Sequence, residues 1–213
     1  DLIKNFDLSK ISKSPSQFDI NKLTWINSQY IKKLDIETLI ELSKKYIDNL
    51  DITEEKLKKI ISLSTPQIKI LSDIREAIAI FANYEVLKNN PEVLKLLNKN
   101  EIMEFLKKFW CNIKNLENFN KENLEALYNS IRDEFNLKNR DAIQIIRYAS
   151  TGKNVSPPLF DTLELLGKDE SIRRIKLFIE EFENIKKDWN TINFETSKEF
   201  LNKIQNEILH LRT

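Results

Sequence analysis

The stretch NRDAIQIIRYASTGKNVSPPLFDTLELLGKDESIRR, residues 139–174, decides how this chain is read. Both glycines of the protein, Gly152 and Gly167, lie in it, as do the adjacent prolines Pro157 and Pro158. The surrounding sequence is helix-forming with few breakers, so this is where the backbone is steered. Gly152 follows a helical run ending near Ser150, and Gly167 follows a shorter run from Leu159 to Leu166. Each stands where a left-handed cap would stop a helix, a conformation glycine adopts without a Cβ penalty. Asp169 is placed to cap the next helix. The expected unit is helix, ordered loop, short helix, tight turn, long helix.

The same stretch gathers one kind of chemistry. Arg140, Gln144, Arg147 and Thr151 recur three or four apart and share a helix face, while Ala142, Ile145, Ile146 and Ala149 form the opposite face. Arg173, Arg174 and Lys176 follow on the next helix. Guanidinium groups beside a stiff Pro-Pro-Leu-Phe surface suit a splayed single-stranded nucleic acid, with cations for phosphates and flat faces for bases. From the spacing alone an ordinary solvated basic face with loop prolines is the commoner reading, since basic helix faces are common.

Working outward, the remaining apolar positions keep a helical period, and no strand alternation of useful length occurs. Asp19 caps an expected helix to Leu34 through Ile20, Leu23, Ile26, Tyr30 and Ile31, with Trp25 as a core anchor. Asp35 caps another to about Ile47. Asp51 with Glu54 resembles a capping box. Thr65-Pro66 opens a helix expected to run to about Leu87, which puts Gln67 in its exposed first turn. Asn89-Asn90-Pro91 and Asn98-Lys99-Asn100 interrupt the pattern around a short helix from Pro91 to Leu97. Helices over Glu101–Leu116, after Asn120, from Asn139 and over Asp169–Trp189 follow. Thr196 and Glu199 open one more, through Phe200, Ile204 and Leu211. The fold class is all-α: two consecutive helical bundles, residues 1–90 and 91–189, with an extra C-terminal helix in 190–213.

Composition narrows the function. The chain of 213 residues has a formal net charge of +1 with 31% charged residues, so nucleic acid would be held by a local patch and not by the overall field. A hydrophobic content of 41% supports a packed core. One cysteine, Cys111, excludes an internal disulfide framework and fits a reducing, cytoplasmic setting; its neighbours Phe109, Trp110 and Ile113 suggest a buried core thiol. No apolar run reaches transmembrane length. His210 has no ligand partners in sequence, so no metal site is expected. Nucleophile–base pairs and phosphate-cradling glycine loops are missing, which argues against an independent enzyme. An all-α protein–protein interaction scaffold is the alternative to RNA binding.

Three segments carry a family resemblance. Residues 147–167 are similar to the R-x-A-L-T-G-x-x-x-x-P-P-L-F-E-x-L-E-L-L-G run in the C-terminal anticodon-binding region of bacterial glutamyl-tRNA synthetases. Arg147, Ala149, Thr151, Gly152, Pro157, Pro158, Leu159, Phe160, Leu163, Leu165, Leu166 and Gly167 fit it; Asp161 replaces its Glu and Ser150 its Leu. FDLSKISKSPSQFD, residues 6–19, resembles the segment just beyond the family's catalytic half. Its Lys10-Ile11-Ser12-Lys13-Ser14 looks like the ATP-holding K-M-S-K-S loop but lacks the upstream elements that loop works with. KLTWINSQYI, residues 22–31, matches K-L-x-W-x-N-x-x-Y-I through Lys22, Trp25, Asn27 and Tyr30.

The resemblance implies the tRNA-binding part of a glutamate–tRNA ligase. The parent would be a cytoplasmic enzyme that activates glutamate with ATP and Mg²⁺, and its N-terminal catalytic domain would be missing from this chain, which begins at Asp1. The partner implied is glutamate tRNA, with no DNA and no membrane. Arg140 and Arg147 would meet phosphates, Ser156, Pro157 and Leu159 would form the surface for a splayed anticodon base, and Arg173 would support them. Gln67 falls where the family carries an Arg that reads the third anticodon base. A neutral amide there implies relaxed discrimination between glutamate and glutamine tRNAs.

Overall fold

The computed structural model describes residues 4, 6 and 7, 17–47, 52–88 and 90–184. The helix expected after Thr196 lies outside these residues. Among the described residues the architecture is helical throughout, without strands.

The first half stacks four helices. In α1 (Ile20–Ile31) the Asp19 carboxylate accepts the backbone N–H of Asn21 and Lys22 at 2.9 and 3.2 Å. Asp35 caps α2 (Ile36–Ser43) in the same way, accepting from the Thr38 N–H at 2.8 Å. Thr53 caps α3 (Glu54–Ser64), while Asp51 of the expected capping box lies outside the described residues. The helix expected from Pro66 is not there. Thr65–Gln67 is a single 3₁₀ turn, and α4 (Asp73–Ala82) begins only at Asp73. The cause lies in the loop: Asp73 accepts the N–H groups of Lys69 and Ile70 at 2.9 and 3.0 Å, and Ile68 is drawn into the core. Beyond α4 the chain is non-helical through residues 83–87.

The second half opens with α5 (Pro91–Leu97), where Asn90 accepts from the Glu92 and Val93 N–H groups. Then come α6 (Asn100–Ile113), α7 (Lys121–Glu134) capped by Asn120, α8 (Asn139–Thr151), α9 (Leu159–Leu166) and α10, helical over residues 168–184. Two expected caps move. Asn139 is already helical, and its side-chain oxygen instead accepts from the Tyr128 hydroxyl at 2.6 Å. Asp169 sits inside the first turn of α10, because the Ser171 N–H reaches back to the Gly167 carbonyl at 3.1 Å. A carboxylate in a first turn still favours the positive helix end.

Two cores result. One joins Ile31, Leu39, Ile60, Ile61, Ile74, Ile78 and Phe81 with Leu166 from α9. The other is centred on Phe105, whose ring contacts Phe109, Tyr128 and Phe135, with Ile145, Leu163 and Phe178 around it. Burying each such side chain stabilises by about 1.5–3 kcal/mol. Because α9 contributes Leu163 to one core and Leu166 to the other, it stitches the halves together.

Two core assignments are overturned. Trp25 is 62% exposed, and Phe18, Ile20, Leu23 and Tyr30 are exposed with it. One narrow side of α1 meets the rest of the first bundle, through the buried Ser28 and Ile31 and through Asn27, whose amide donates to the Lys69 carbonyl at 2.8 Å, and the exposed apolar positions lie off that side. Cys111 is likewise exposed. It stands two residues from the fully buried Phe109, which turns it to the opposite side of α6.

Candidate functional site

The site is the bend between α8 and α9. Helix α8 stops because Gly152 adopts φ +66, left-handed, with its N–H bonded to the Tyr148 carbonyl at 3.0 Å. Thr151 is buried; its hydroxyl donates to the Arg147 carbonyl at 2.7 Å and accepts the Lys153 N–H at 3.2 Å. A Cβ at Gly152 would stand 2.3 Å from the Glu85 carbonyl oxygen. Position 152 therefore needs glycine twice over, for its backbone angle and for main-chain contact with the 83–87 segment.

Ser156 is the hub of the bend. It is 4% exposed. Its hydroxyl accepts from Arg147 Nε at 3.0 Å and donates to the Pro157 carbonyl at 2.9 Å. Its own carbonyl accepts from Gln67 Nε2 at 2.8 Å. Gln144 completes the clamp, with Nε2 donating to the Asn154 carbonyl at 2.9 Å and Oε1 accepting from Arg147 Nη1 at 3.1 Å. Pro157 is buried, and Leu159 turns into the second core. Lys153, Asn154, Val155 and Pro158 stay exposed as a rim. Between this rim and the first bundle lies a cleft of about 250 Å³, walled by Gln67, Asp73 and Ile80 on one side and by Asn154, Ser156 and Pro157 on the other.

The arginines fall into two classes. Arg147 is half-buried, and burial pulls its guanidinium below the ordinary value; it remains a cation at neutral pH. It has no carboxylate partner among the described residues, only Ser156 and Gln144. Arg140 is exposed two turns earlier on the same stripe of α8, with no ion pair among the described residues. Arg173 and Arg174 are engaged instead. Arg173 grips Glu170 with two bonds of 2.7 Å. Arg174 is 1% exposed and bonds to Glu170 Oε1 at 2.6 Å. Hydrogen bonds from Arg173, then from Arg174, hold the Glu170 carboxyl down at about 2.

The structure thus brings Gln67, Gln144, Arg147, Thr151, Ser156 and Pro157 together around one loop. It puts Arg140 at the outer edge, Leu159 beneath the surface, and Arg173 on α10 facing Glu170. Sequence reasoning missed the tie between Gln67 and the loop, the 83–87 segment and the burial of Arg174. The one available signal was Arg174 falling at a helical spacing from Ile175 and Phe178 on the apolar side of α10. Among the described residues no group of His, Cys, Asp and Glu is placed to hold a metal, and no helix is long and apolar enough to cross a membrane.

The chain and its fold have known relatives. Residues 38–179 match the family described as "Anticodon binding domain". The chain is 32% identical over 190 residues to a glutamate–tRNA ligase of Thermoanaerobacter pseudethanolicus and 32% identical over 182 residues to that of Bacillus subtilis, covering 86% and 82% of this chain. It spans only about 40% of the length of these relatives. A crystal structure of the glutamate tRNA ligase from Elizabethkingia meningosepticum superposes with a TM-score of 0.68 at 25% identity, over 84% of this chain and 36% of that one. With its two bundles, its proline-stiffened bend and its matched 38–179 segment, the chain belongs to the anticodon binding domain family, in the form carried by glutamate–tRNA ligases.

Proposed function

We propose that this chain is the tRNA-recognising part of a glutamate–tRNA ligase, and that the bend over residues 153–158 with its cleft holds a splayed anticodon nucleotide. One observation carries the reading: a half-buried guanidinium, Arg147, is oriented by Ser156 and Gln144 without a carboxylate to neutralise it. A cation left unpaired at the edge of a rigid, partly apolar cleft suits a phosphate. Loop carbonyls and amides read base edges, and the exposed Pro158, stiffened by the buried Pro157 behind it, offers stacking surface. Arg140 extends the cationic track along α8, and Gln67 closes the far wall. The part of the parent beyond this chain would supply ATP and Mg²⁺ chemistry. In this reading the chain's own residues bind and position the tRNA. Holding the tRNA in register is worth large rate factors once the two parts are joined.

The test is binding to a glutamate tRNA transcript at several salt concentrations. With about three phosphates neutralised, log affinity should fall with log salt at a slope of about −2 to −3. Replacing Arg147 by Ala should weaken binding by about 1–3 kcal/mol. A salt-independent affinity, or none, would favour the protein-binding scaffold.

A further inference from the structure

We infer that Arg174 is a positioning residue: it fixes the separation of the two cleft walls, so that discrimination among anticodons, more than affinity for tRNA, depends on it. This rests on the anticodon reading above. The walls belong to different bundles. Ile80, in the last turn of α4, lines one wall. Ser150, in the last turn of α8, leads two residues later into Gly152 and the loop that forms the other.

Besides the Gln67–Ser156 bond at the cleft itself, Arg174 touches both from behind. Its Nη1 donates to the Ile80 carbonyl at 2.6 Å and to the Ser150 carbonyl at 3.1 Å, while Nε is held by Glu170 at 2.6 Å. Both carbonyls are at helix C-termini, where acceptors lack intrahelical partners and the dipole favours a cation. Tyr84 covers the guanidinium, with its ring centroid 5.1 Å away. Its hydroxyl donates to the Ala149 carbonyl at 2.7 Å and lies 3.1 Å from the Arg174 carbonyl. Burial raises the Tyr84 phenol, which keeps its proton.

A buried charge is weak evidence for stability, since apolar packing of equal volume often does as well. What it adds is direction. With Nη1 shared by two carbonyls and Nε fixed on Glu170, the planar guanidinium sets a distance that interchangeable methyl groups would leave loose, and lysine, one nitrogen on a flexible stem, cannot hold the carboxylate and both carbonyls in that plane. The main chain of Gly152 packs against the carbonyl of Glu85, the residue after Tyr84.

The experiment uses the full chain, as wild type, Arg174→Lys and Tyr84→Phe. Each is titrated with a glutamate tRNA transcript and with three transcripts carrying one altered anticodon base, and thermal midpoints and salt slopes are recorded in parallel. The expected result is an unchanged salt slope with the mismatched-to-matched Kd ratio falling at least threefold in Arg174→Lys and by a smaller factor in Tyr84→Phe. A purely structural role would lower the midpoints and leave that ratio alone. Two variants that fold and keep the wild-type ratio overturn the inference while leaving the anticodon reading intact. A wild type that does not distinguish the transcripts overturns both.

Discussion

Gln67 and Ser156 stand 89 positions apart in the chain, and the side-chain amide of one donates to the main-chain carbonyl of the other at 2.8 Å. This bond crosses the cleft and joins the 3₁₀ turn of the first bundle to the bend of the second. Replacing Gln67 by Glu sets a carboxylate against a carbonyl and removes the donor. The expected cost is about 1 kcal/mol, read as a lower urea midpoint with an unchanged slope.

Gly152 and Gly167 both have positive φ, +66 and +87, yet they should respond differently to alanine. At Gly167 an added Cβ meets nothing within 4 Å, so only backbone strain of about 1–3 kcal/mol applies. At Gly152 the clash with Glu85 comes on top of the strain. Urea denaturation should rank Gly152→Ala as clearly the more damaging; equal losses would mean that the contact yields.

Glu170 sets a pH window. Its carboxyl is held at about 2 when folded, below the ordinary unfolded value of about 4.3. Its contribution is therefore complete above about pH 4.5 and is lost as pH falls toward 2. Circular dichroism across that interval should show wild type losing stability steadily, and Glu170→Gln, less stable at neutral pH, losing less as acid is added.

Arg140 and Arg147 separate charge from architecture. Arg140 is exposed, so Arg140→Ala should leave the thermal midpoint within about 0.5 kcal/mol of wild type and make the tRNA salt slope shallower by about 1. Arg147→Ala should lower both stability and affinity, because it also releases Ser156 and Gln144.

Trp25 offers a check on α1. With its side chain 62% exposed, Trp25→Ser should alter the stability of this chain by no more than about 0.5 kcal/mol. A buried anchor would lose several times as much.

The legible parts of the fold were those governed by local rules. Asp19, Asp35 and Asn120 cap helices as their residue types and positions suggest, and Gly152 ends α8 in the expected left-handed conformation, while Gly167 ends α9 with a positive φ but an extended ψ of 162. What escaped depends on partners distant in sequence. Periodicity carries α1 as amphipathic but does not say that its apolar side is uncovered. It extends a helix back to Pro66, because nothing local announces that Asp73 will gather two backbone N–H groups. At the site, the Arg140–Thr151 stripe was visible as a face. That its members grip their own loop, and that Gln67 reaches them, follows from tertiary packing alone.

The contact at Gly152 has a further consequence. Where two main chains meet with no side chain between them, gradual adjustment by substitution is closed off: no residue is smaller than hydrogen, and the opposing atom is a carbonyl common to every amino acid. Variation in this seam must pass through insertions, deletions or a rerouted backbone, so drift in the 153–158 loop should accumulate at its exposed rim while the seam behind it stays fixed.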